Sequence, residues 1–403
     1  MLLFLTCMMW HILFFEELII MEIYVVRQGD TLSSIGELYG FSAAFLSETN
    51  GISLEVPLVV GQTVVIPTPS VGAKYEASVY GYAYPFINIP LLRSTMPYMT
   101  YLVPFTYGIT RSGELVPLND EELLDIASEF GKGALMHLST LTESGGFDSS
   151  LADIVINDMA ARENLIENVI YTILQKGYRA LDIDFEFIPS RNAAGYASLV
   201  SEFRTRLAPY GVFVLVALAP KTSDNQPGLL YEGHNYSLLG SAADFVLLMT
   251  YEWGYTYGPP QAVAPLPNVR RVIEYALSRI PSEKIYLGIP NYGYDWTLPY
   301  ISGESRATSI SNVYAVELAR RYGVDILYDE VSESPYFNYT DENGRVHEVH
   351  FEDARSIFAK LSLIPEYQLF GAGYWNLMRP FPQNLLVLDD VFDIRSYNVS
   401  PNP

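Results

Sequence analysis

The chain has 403 residues, 49% of them hydrophobic and 17% charged, which excludes a disordered polymer and supplies enough apolar side chain for a barrel-sized core. Its 24 Lys+Arg stand against 46 Asp+Glu, a formal charge of -22, and a surface of that sign repels phosphate backbones, which excludes nucleic acid as a partner. One cysteine, Cys7, rules out an intramolecular disulfide framework, and five histidines without Cys-x-x-Cys or His-Glu-x-x-His spacing give neither a metal site nor a bound cofactor.

The start, MLLFLTCMMWHILFF, is apolar but has no Lys or Arg before it and runs into Glu16 and Glu17. It is shorter than the ~20 residues of a membrane span and lacks the basic region of a signal peptide. Residues 1–20 are therefore read as an N-terminal extension, either an upstream mis-start or a weak signal, and no integral membrane span is expected. From residue 22 the pattern sharpens. A strand-like EIYVV is followed by a turn at Arg27–Asp30 and by TLSSIGELYG, with apolar residues at helical spacing, Asp30 as N-cap and Gly40 as C-cap. A second helix, FSAAFLSETN, ends at Asn50-Gly51, and LVVGQTVVIP closes the unit at Pro67.

This βααβ unit, residues 22–67, resembles a LysM module, a family that binds glycans containing N-acetylglucosamine. The resemblance places Gly29, Asp30 and Thr31 on one loop and Ile52 on the other loop of the family's sugar groove. Residues 68–77, TPSVGAKYEA, have linker character, so the module is expected to act as a tether that raises local substrate concentration.

Beyond the linker, eight β-rich runs alternate with helical stretches: SVYGYAYPF, YLVPFTYGI, GALMHLSTL, ALDIDFEFI, VFVLVALAP, FVLLMTYEW, IYLGIPNYG and LFGAGYWNL. Helical spacers such as ARENLIENVIYTILQKG, closed by Gly177, complete an α/β pattern that predicts a (β/α)8 TIM barrel over 78–403. About 75 residues separate the seventh and eighth runs, more than a crossover needs. They contain strands around an Asn343-Gly344 turn, so a small α+β insertion is expected at about 297–368.

The fourth run carries the chemistry. In ALDIDFEFI, Asp182, Asp184 and Glu186 alternate with Leu181, Ile183, Phe185 and Phe187, so the three carboxylates share one strand face. In a barrel that face is the interior, and the last position opens onto the catalytic end. Three crowded, partly desolvated carboxylates cannot all ionise, so at least one holds a proton near neutral pH. A protonated carboxyl beside an ionised one suits glycosidic bond cleavage.

Residues 78–403 resemble glycoside hydrolase family 18 through the Asp182-x-Asp184-x-Glu186 signature, Ser144-Gly145-Gly146, Met249-Thr250-Tyr251, GIPNYGYDW at 288–296 and Tyr374-Trp375-Asn376. Within it the LysM module, MTYEWGYTYGPP and HEVHFEDARS resemble spore-associated enzymes that degrade cortex peptidoglycan. The resemblance implies substrate-assisted, retaining hydrolysis, with Glu186 as acid and then base, Asp184 orienting the substrate acetamide, Asp182 tuning Asp184, and Tyr251 donating to the acetamide oxygen. It places Trp375 under the sugar and assigns Met249, Gly145 and Tyr292 to substrate binding. Trp253, Tyr255 and Tyr257 read as surface sugar platforms, and Asp295 as a substrate contact or a cap. Departures from the family pattern are Arg179 for a frequent Asp, Phe185 for a frequent Trp, and Glu252 for a frequent Asp; they point away from a processive chitinase towards the peptidoglycan branch. The expected partner is peptidoglycan or another N-acetylglucosamine glycan, the expected state a monomer, and the expected location the spore or cell wall. A non-catalytic glycan-binding wall protein and a chitinase-type enzyme are the alternative readings.

Overall fold

The structure, a computed structural model, describes residues 21–67 and 73–397; the apolar start, residues 1–20, lies outside them. In the N-terminal module, strands Glu22–Val25 and Thr63–Ile66 pair antiparallel around helices Leu32–Tyr39 and Ala43–Asn50. Val26, Leu32, Ile35, Leu46, Ile52, Val64 and Ile66 form its core. The first helix is capped one residue later than expected: Thr31 accepts from the Ser34 N–H in a capping box with Ser34. Asp30 is occupied instead by the Tyr24 hydroxyl (2.8 Å) and the Arg27 N–H (2.7 Å). Gly40 and Gly51 end the two helices in the left-handed region.

The eight β-rich runs become the eight parallel strands of a closed barrel: Tyr75–Ala83, Tyr101–Pro104, Gly133–Ser139, Ala180–Asp184, Phe213–Leu218, Phe245–Leu248, Ile285–Pro290 and Gly371–Trp375. Closure joins strand 8 to strand 1 through Gly371 opposite Ser78. A Cβ on Gly371 would stand 1.8 Å from the Ser78 carbonyl oxygen, so the seam requires glycine. Strand 1 starts at Tyr75, inside the span expected for the linker, because Tyr75–Ala77 pair with an additional short strand, Phe392–Ile394. The barrel interior is mainly aromatic, with Tyr80, Tyr82, Tyr101, Phe213, Phe245 and Tyr286 filling it.

The insertion is a five-stranded antiparallel sheet whose first strand is Gly293–Thr297, followed by Thr308–Ile310, Leu327–Asp329, Ser334–Thr340 and Val346–His350, with helix Asn312–Tyr322. It runs from Gly293 to His350, beginning slightly before the expected 297 and ending well before the expected 368. GYDW continues directly from strand 7 into the inserted sheet. Helix Ala354–Tyr367 packs on barrel strands 7 and 8, and so belongs to the barrel.

The N-terminal module is docked and not tethered. Gln383 Nε2 donates to Asn50 Oδ1 (3.1 Å) and to the Thr63 carbonyl (2.6 Å), while Gln383 Oε1 accepts from Thr63 Oγ1 (3.0 Å); Gln383, Asn50 and Thr63 are all buried. Arg320 Nε donates to the Pro57 carbonyl and the Ile326 N–H to the Val60 carbonyl, both at 2.9 Å. Val59 sits in the hydrophobic core of the insertion with Ile310, Leu318, Ile326 and Phe337. Gly61, at φ +84, lies so close that a Cβ would stand 1.9 Å from the Ile326 carbonyl oxygen. Removing the module strips Gln383 of its bonds to Asn50 and Thr63 and uncovers that core, and apolar surface returned to water costs about 25 cal/mol per Å². We therefore expect deletion of residues 21–67 to lower the melting temperature by at least about 5 °C and to reduce cleavage even of short soluble substrates. A truncated barrel with unchanged melting and turnover would restore the tether picture.

Candidate active site

Strand 4 sorts its side chains as alternation requires. Leu181, Ile183 and Phe185 point outward into the core between barrel and helices, and Asp182 takes the inner face, fully buried. The strand ends at Asp184, so Glu186 stands on the loop just beyond it. Exposure therefore increases along the series, with Asp182 inaccessible and Asp184 and Glu186 partly exposed. Phe187 breaks the pattern: at φ 56 it turns out to solvent, 47% exposed, instead of packing behind the strand.

The inner end of the acid series is held by groups from neighbouring strands. Tyr82 on strand 1 donates its hydroxyl to Asp182 Oδ2 at 2.7 Å. His137 on strand 3, 1% exposed, places Nε2 3.9 Å from Asp182 Oδ2 and 3.6 Å from Asp184 Oδ2. Its Nδ1 meets the Thr106 hydroxyl at 2.6 Å. Burial pushes the Asp182 carboxyl up to about 6, with His137 and Tyr82 holding it down against the Asp184 charge. At the outer end, burial first, then the charges of Asp184 and Glu252, push the Glu186 carboxyl up to about 8.

A second histidine supports the loop that carries the acid. His234, fully buried, accepts the Ala219 N–H at Nδ1 (2.8 Å), so its Nε2–H is the donor to the Phe185 carbonyl at 3.0 Å. Burial lowers its pKa, keeping the ring neutral in that tautomer. Across the mouth, Glu252 at φ 66 accepts from the hydroxyls of Tyr292 (2.5 Å) and Tyr294 (3.0 Å). Tyr251, 9% exposed, has its pKa raised well above the ordinary value by burial and by Asp184 and Glu186, so its hydroxyl keeps its proton. Trp375 lies edge-on to Tyr82 and Phe105, ring centroids 5.4 and 4.9 Å away, with Met249 packed alongside. Among the described residues no group of His, Cys, Asp and Glu side chains is arranged to hold a metal ion.

Residues 102–379 match the sequence model of glycosyl hydrolases family 18, and residues 24–67 that of the LysM domain. The chain belongs to family 18. It is 40% identical over 428 residues to the cortical fragment-lytic enzyme of Bacillus subtilis (strain 168), covering 93% of this chain and 99% of that one, and 38% identical over 427 residues to the Bacillus cereus protein of the same name. The crystal structure of the Bacillus cereus spore cortex-lytic enzyme SleL superposes with a TM-score of 0.88 at 32% identity, covering 94% of this chain and all of that one.

The structure gathers Asp184, Glu186, Tyr251, Tyr292, Met249 and Trp375 around the C-terminal mouth of the barrel, with Asp182 buried beneath them. Other residues named from sequence lie elsewhere. Gly145, at φ +83, is on an exposed turn closed by Thr142 and shares none of the acid cluster's hydrogen bonds. Trp253 is half-buried against the main core, which leaves Tyr255 and Tyr257, 39% and 56% exposed, as the aromatic surface of its loop. Asp295 is engaged by Tyr339 (2.7 Å) and His347 (2.8 Å) of the insertion. In the LysM domain, Gly29, Asp30 and Thr31 line an open groove of about 580 Å³ with the facing loop Ser53–Leu58, whereas Ile52 is 7% exposed and belongs to the domain core.

His137, His234 and Tyr82 carry no motif, and Tyr294 stands in the GIPNYGYDW block without being distinguished there; only the alternation of strand 1, which puts Tyr80 and Tyr82 inside, points to Tyr82. His137 holds down the Asp182 carboxyl, so His137→Phe is expected to raise it and to cut kcat at least about 10-fold, a loss of ~1.4 kcal/mol. Unchanged kcat with an unchanged pH profile would make His137 packing only. For Glu186, a folded value near 8 above the ordinary 4.5 means that the folded chain binds more protons, so its contribution to stability is full at low pH and is lost between those values as pH rises. Glu186→Gln should therefore melt with wild type at pH 4 and several degrees above it at pH 9, as read by calorimetry.

Proposed function

We propose that this chain hydrolyses the β-1,4 bond following N-acetylglucosamine in spore-cortex peptidoglycan, by substrate-assisted retaining catalysis. The observation that carries the reading is a carboxyl held protonated to about 8, Glu186, at the mouth of the barrel, one step from Asp184 and two from buried Asp182. A glycosidic oxygen leaves as an alcohol only when a proton reaches it, and Glu186 is the acid in a position to supply one. Of the carboxylates around Glu186, Asp182 is inaccessible and Glu252 is engaged by the Tyr292 and Tyr294 hydroxyls, and the reading gives Asp184 the acetamide to hold, so the nucleophile comes from the substrate.

The carbonyl oxygen of the substrate's own 2-acetamido group then attacks the anomeric carbon as the bond to the leaving sugar breaks and the Glu186 proton passes to the departing oxygen. The resulting oxazolinium ion carries a positive charge, which Asp184 offsets while accepting the acetamide N–H. Tyr251, kept protonated, donates to the acetamide oxygen. Glu186, now ionised, takes a proton from water, which adds at the anomeric carbon from the face the leaving group vacated as the bond from that carbon to the acetamide oxygen breaks, restoring the acetamide and giving net retention. Trp375 offers the apolar floor that the C–H face of a pyranose needs. The names of the similar Bacillus proteins support cortex as the polymer, and the LysM groove supports a wall-associated glycan as the ligand.

Mass spectrometry of products from decoated-spore cortex, wild type beside Glu186→Gln, tests this directly. New fragments ending in reducing N-acetylglucosamine are expected from wild type alone. Binding without fragments from either would make the chain a glycan-binding barrel, and cleavage of chitin oligomers alone would make it a chitinase. Because the acid must keep its proton, kcat/KM on soluble fragments is expected to fall about tenfold per pH unit above about 8; a flat profile to pH 10 would move the acid elsewhere.

A further inference from the structure

Beside Trp375 the mouth widens into an open cavity of about 260 Å³, lined by Tyr84, Phe86, Tyr292, Tyr294, Glu252 and Arg379 among others. Arg379 is out of keeping with the rest of the chain. Every other described arginine that is not solvent-exposed, namely Arg162, Arg206, Arg270, Arg320, Arg355 and Arg395, faces a carboxylate within 4.0 Å. Among the described residues Arg379 faces none. Its guanidinium is fixed by the insertion: Nη1 donates to Ser309 Oγ (3.0 Å) and the Ile310 carbonyl (2.6 Å), and Nη2 donates to the Ser309 carbonyl (3.2 Å). Of its five N–H donors this leaves Nε–H and one on Nη2 without a partner among the described residues, the pair that chelates a carboxylate side-on. Burial lowers its pKa, and the ionisable groups that register beside it are Tyr294 and Tyr292. The cavity's own carboxylate, Glu252, is already engaged by those two tyrosines.

A half-buried cation held rigid, with two donors unused, is a costly arrangement unless an anion arrives with the substrate, and in a chain with 46 Asp+Glu its lack of a carboxylate partner stands out. We propose that Arg379 is a carboxylate-binding residue of a subsite beside Trp375, selecting glycans that carry a carboxyl group close to the sugar ring over neutral N-acetylglucosamine polymers. This rests on the peptidoglycan reading above. Two parts of such a polymer bear that chemistry, the 3-O-lactyl group of muramic acid and the stem peptide. The exposed ring of Phe86, 77% accessible, and Tyr84 beside it (centroids 5.2 Å apart) give the same subsite an apolar wall for the sugar face.

The test uses the full chain and peptide-free muramyl oligosaccharides with the lactyl carboxyl either free or converted to its methylamide, together with the same oligosaccharides bearing stem peptides. For wild type, kcat/KM for the free acid should exceed that for the amide by about 10-fold, ~1.4 kcal/mol, within the range of a charged hydrogen-bonded pair. Arg379→Gln should bring that ratio close to one, and Arg379→Lys, which lacks the two-pronged edge, should restore only part of it. A preference confined to peptide-bearing substrate assigns the carboxylate to the stem. Equal rates on the acid, the amide and the peptide-bearing glycans by the unaltered enzyme overturn the proposal without reliance on any variant's folding. Should wild type cleave none of these glycans, the peptidoglycan reading fails by itself. The affinity of Glu186→Gln for acid against amide, measured by calorimetry, then decides the carboxylate site separately.

Discussion

Desolvation of three carboxylates inside an aromatic barrel is the constraint on which the rest of the molecule depends. An ionised carboxylate in a low-dielectric interior is expensive, and the chain offsets that cost unevenly along the series. Asp182, with no access to water, receives the Tyr82 hydroxyl and the nearby His137 ring. Glu186, at the mouth, receives no such help and faces the charges of Asp184 and Glu252, and its carboxyl moves highest. The difference in support between Asp182 and Glu186 therefore becomes a difference in acidity, with the proton retained where a leaving group would need it. The supporting groups are themselves packed: Tyr82 lies edge-on to Tyr80 and Trp375, and His137 tilts against Phe105 at 4.7 Å between ring centroids. The same aromatic shell fills the barrel, sets the local dielectric and positions the acids.

The second constraint is that the mouth is built by three parts of the chain that are not free to move apart. Strand 7 runs straight into the inserted sheet, so Tyr292 and Tyr294, which hold Glu252, are fixed by both barrel and insertion. The insertion in turn encloses Val59 of the LysM domain and accepts its loops through Arg320 and Ile326. On the proposed reading, a glycan bound in the LysM groove would be held in a set position relative to the acids, which would constrain the register of a long substrate more tightly than a flexible tether does.

Much of this architecture was legible in the sequence because it rests on periodicity. Alternation in ALDIDFEFI gave the acidic interior face, and eight β-rich runs gave eight strands, since burial on both faces and regular crossover spacing leave unambiguous patterns. What was not legible comes from contacts between distant segments. His137 sits in an apolar run, GALMHLS, where a lone histidine reads as core, and only the pairing of strands 3 and 4 brings it opposite Asp182. Docking of the LysM domain depends on Gln383, 320 residues from its partner Thr63. Local turn chemistry misled in small ways: Thr31 won the cap over Asp30 because the Tyr24 hydroxyl claims the aspartate, and Phe187 left the strand pattern because the chain turns there to present Glu186.

The three departures from the common family pattern separate once they are placed in space. Arg179 precedes strand 4 at the end opposite the mouth, exposed, with its guanidinium over the Tyr397 ring at 5.3 Å. Phe185 is wholly buried behind the strand, stacked on Tyr196 at 5.9 Å. Neither side chain faces the cleft, so neither bears on which glycan enters it. Glu252 does: it lies in the cavity beside Trp375, on a left-handed backbone, its carboxylate drawn to two tyrosines and its charge acting on Glu186. A shorter aspartate at that position would reach less far towards those hydroxyls, and the tyrosines would then be free to turn towards Arg379. The longer side chain takes up both hydroxyls, so the one departure that touches the cleft commits the two tyrosines beside Arg379 to Glu252 and leaves the guanidinium open to substrate.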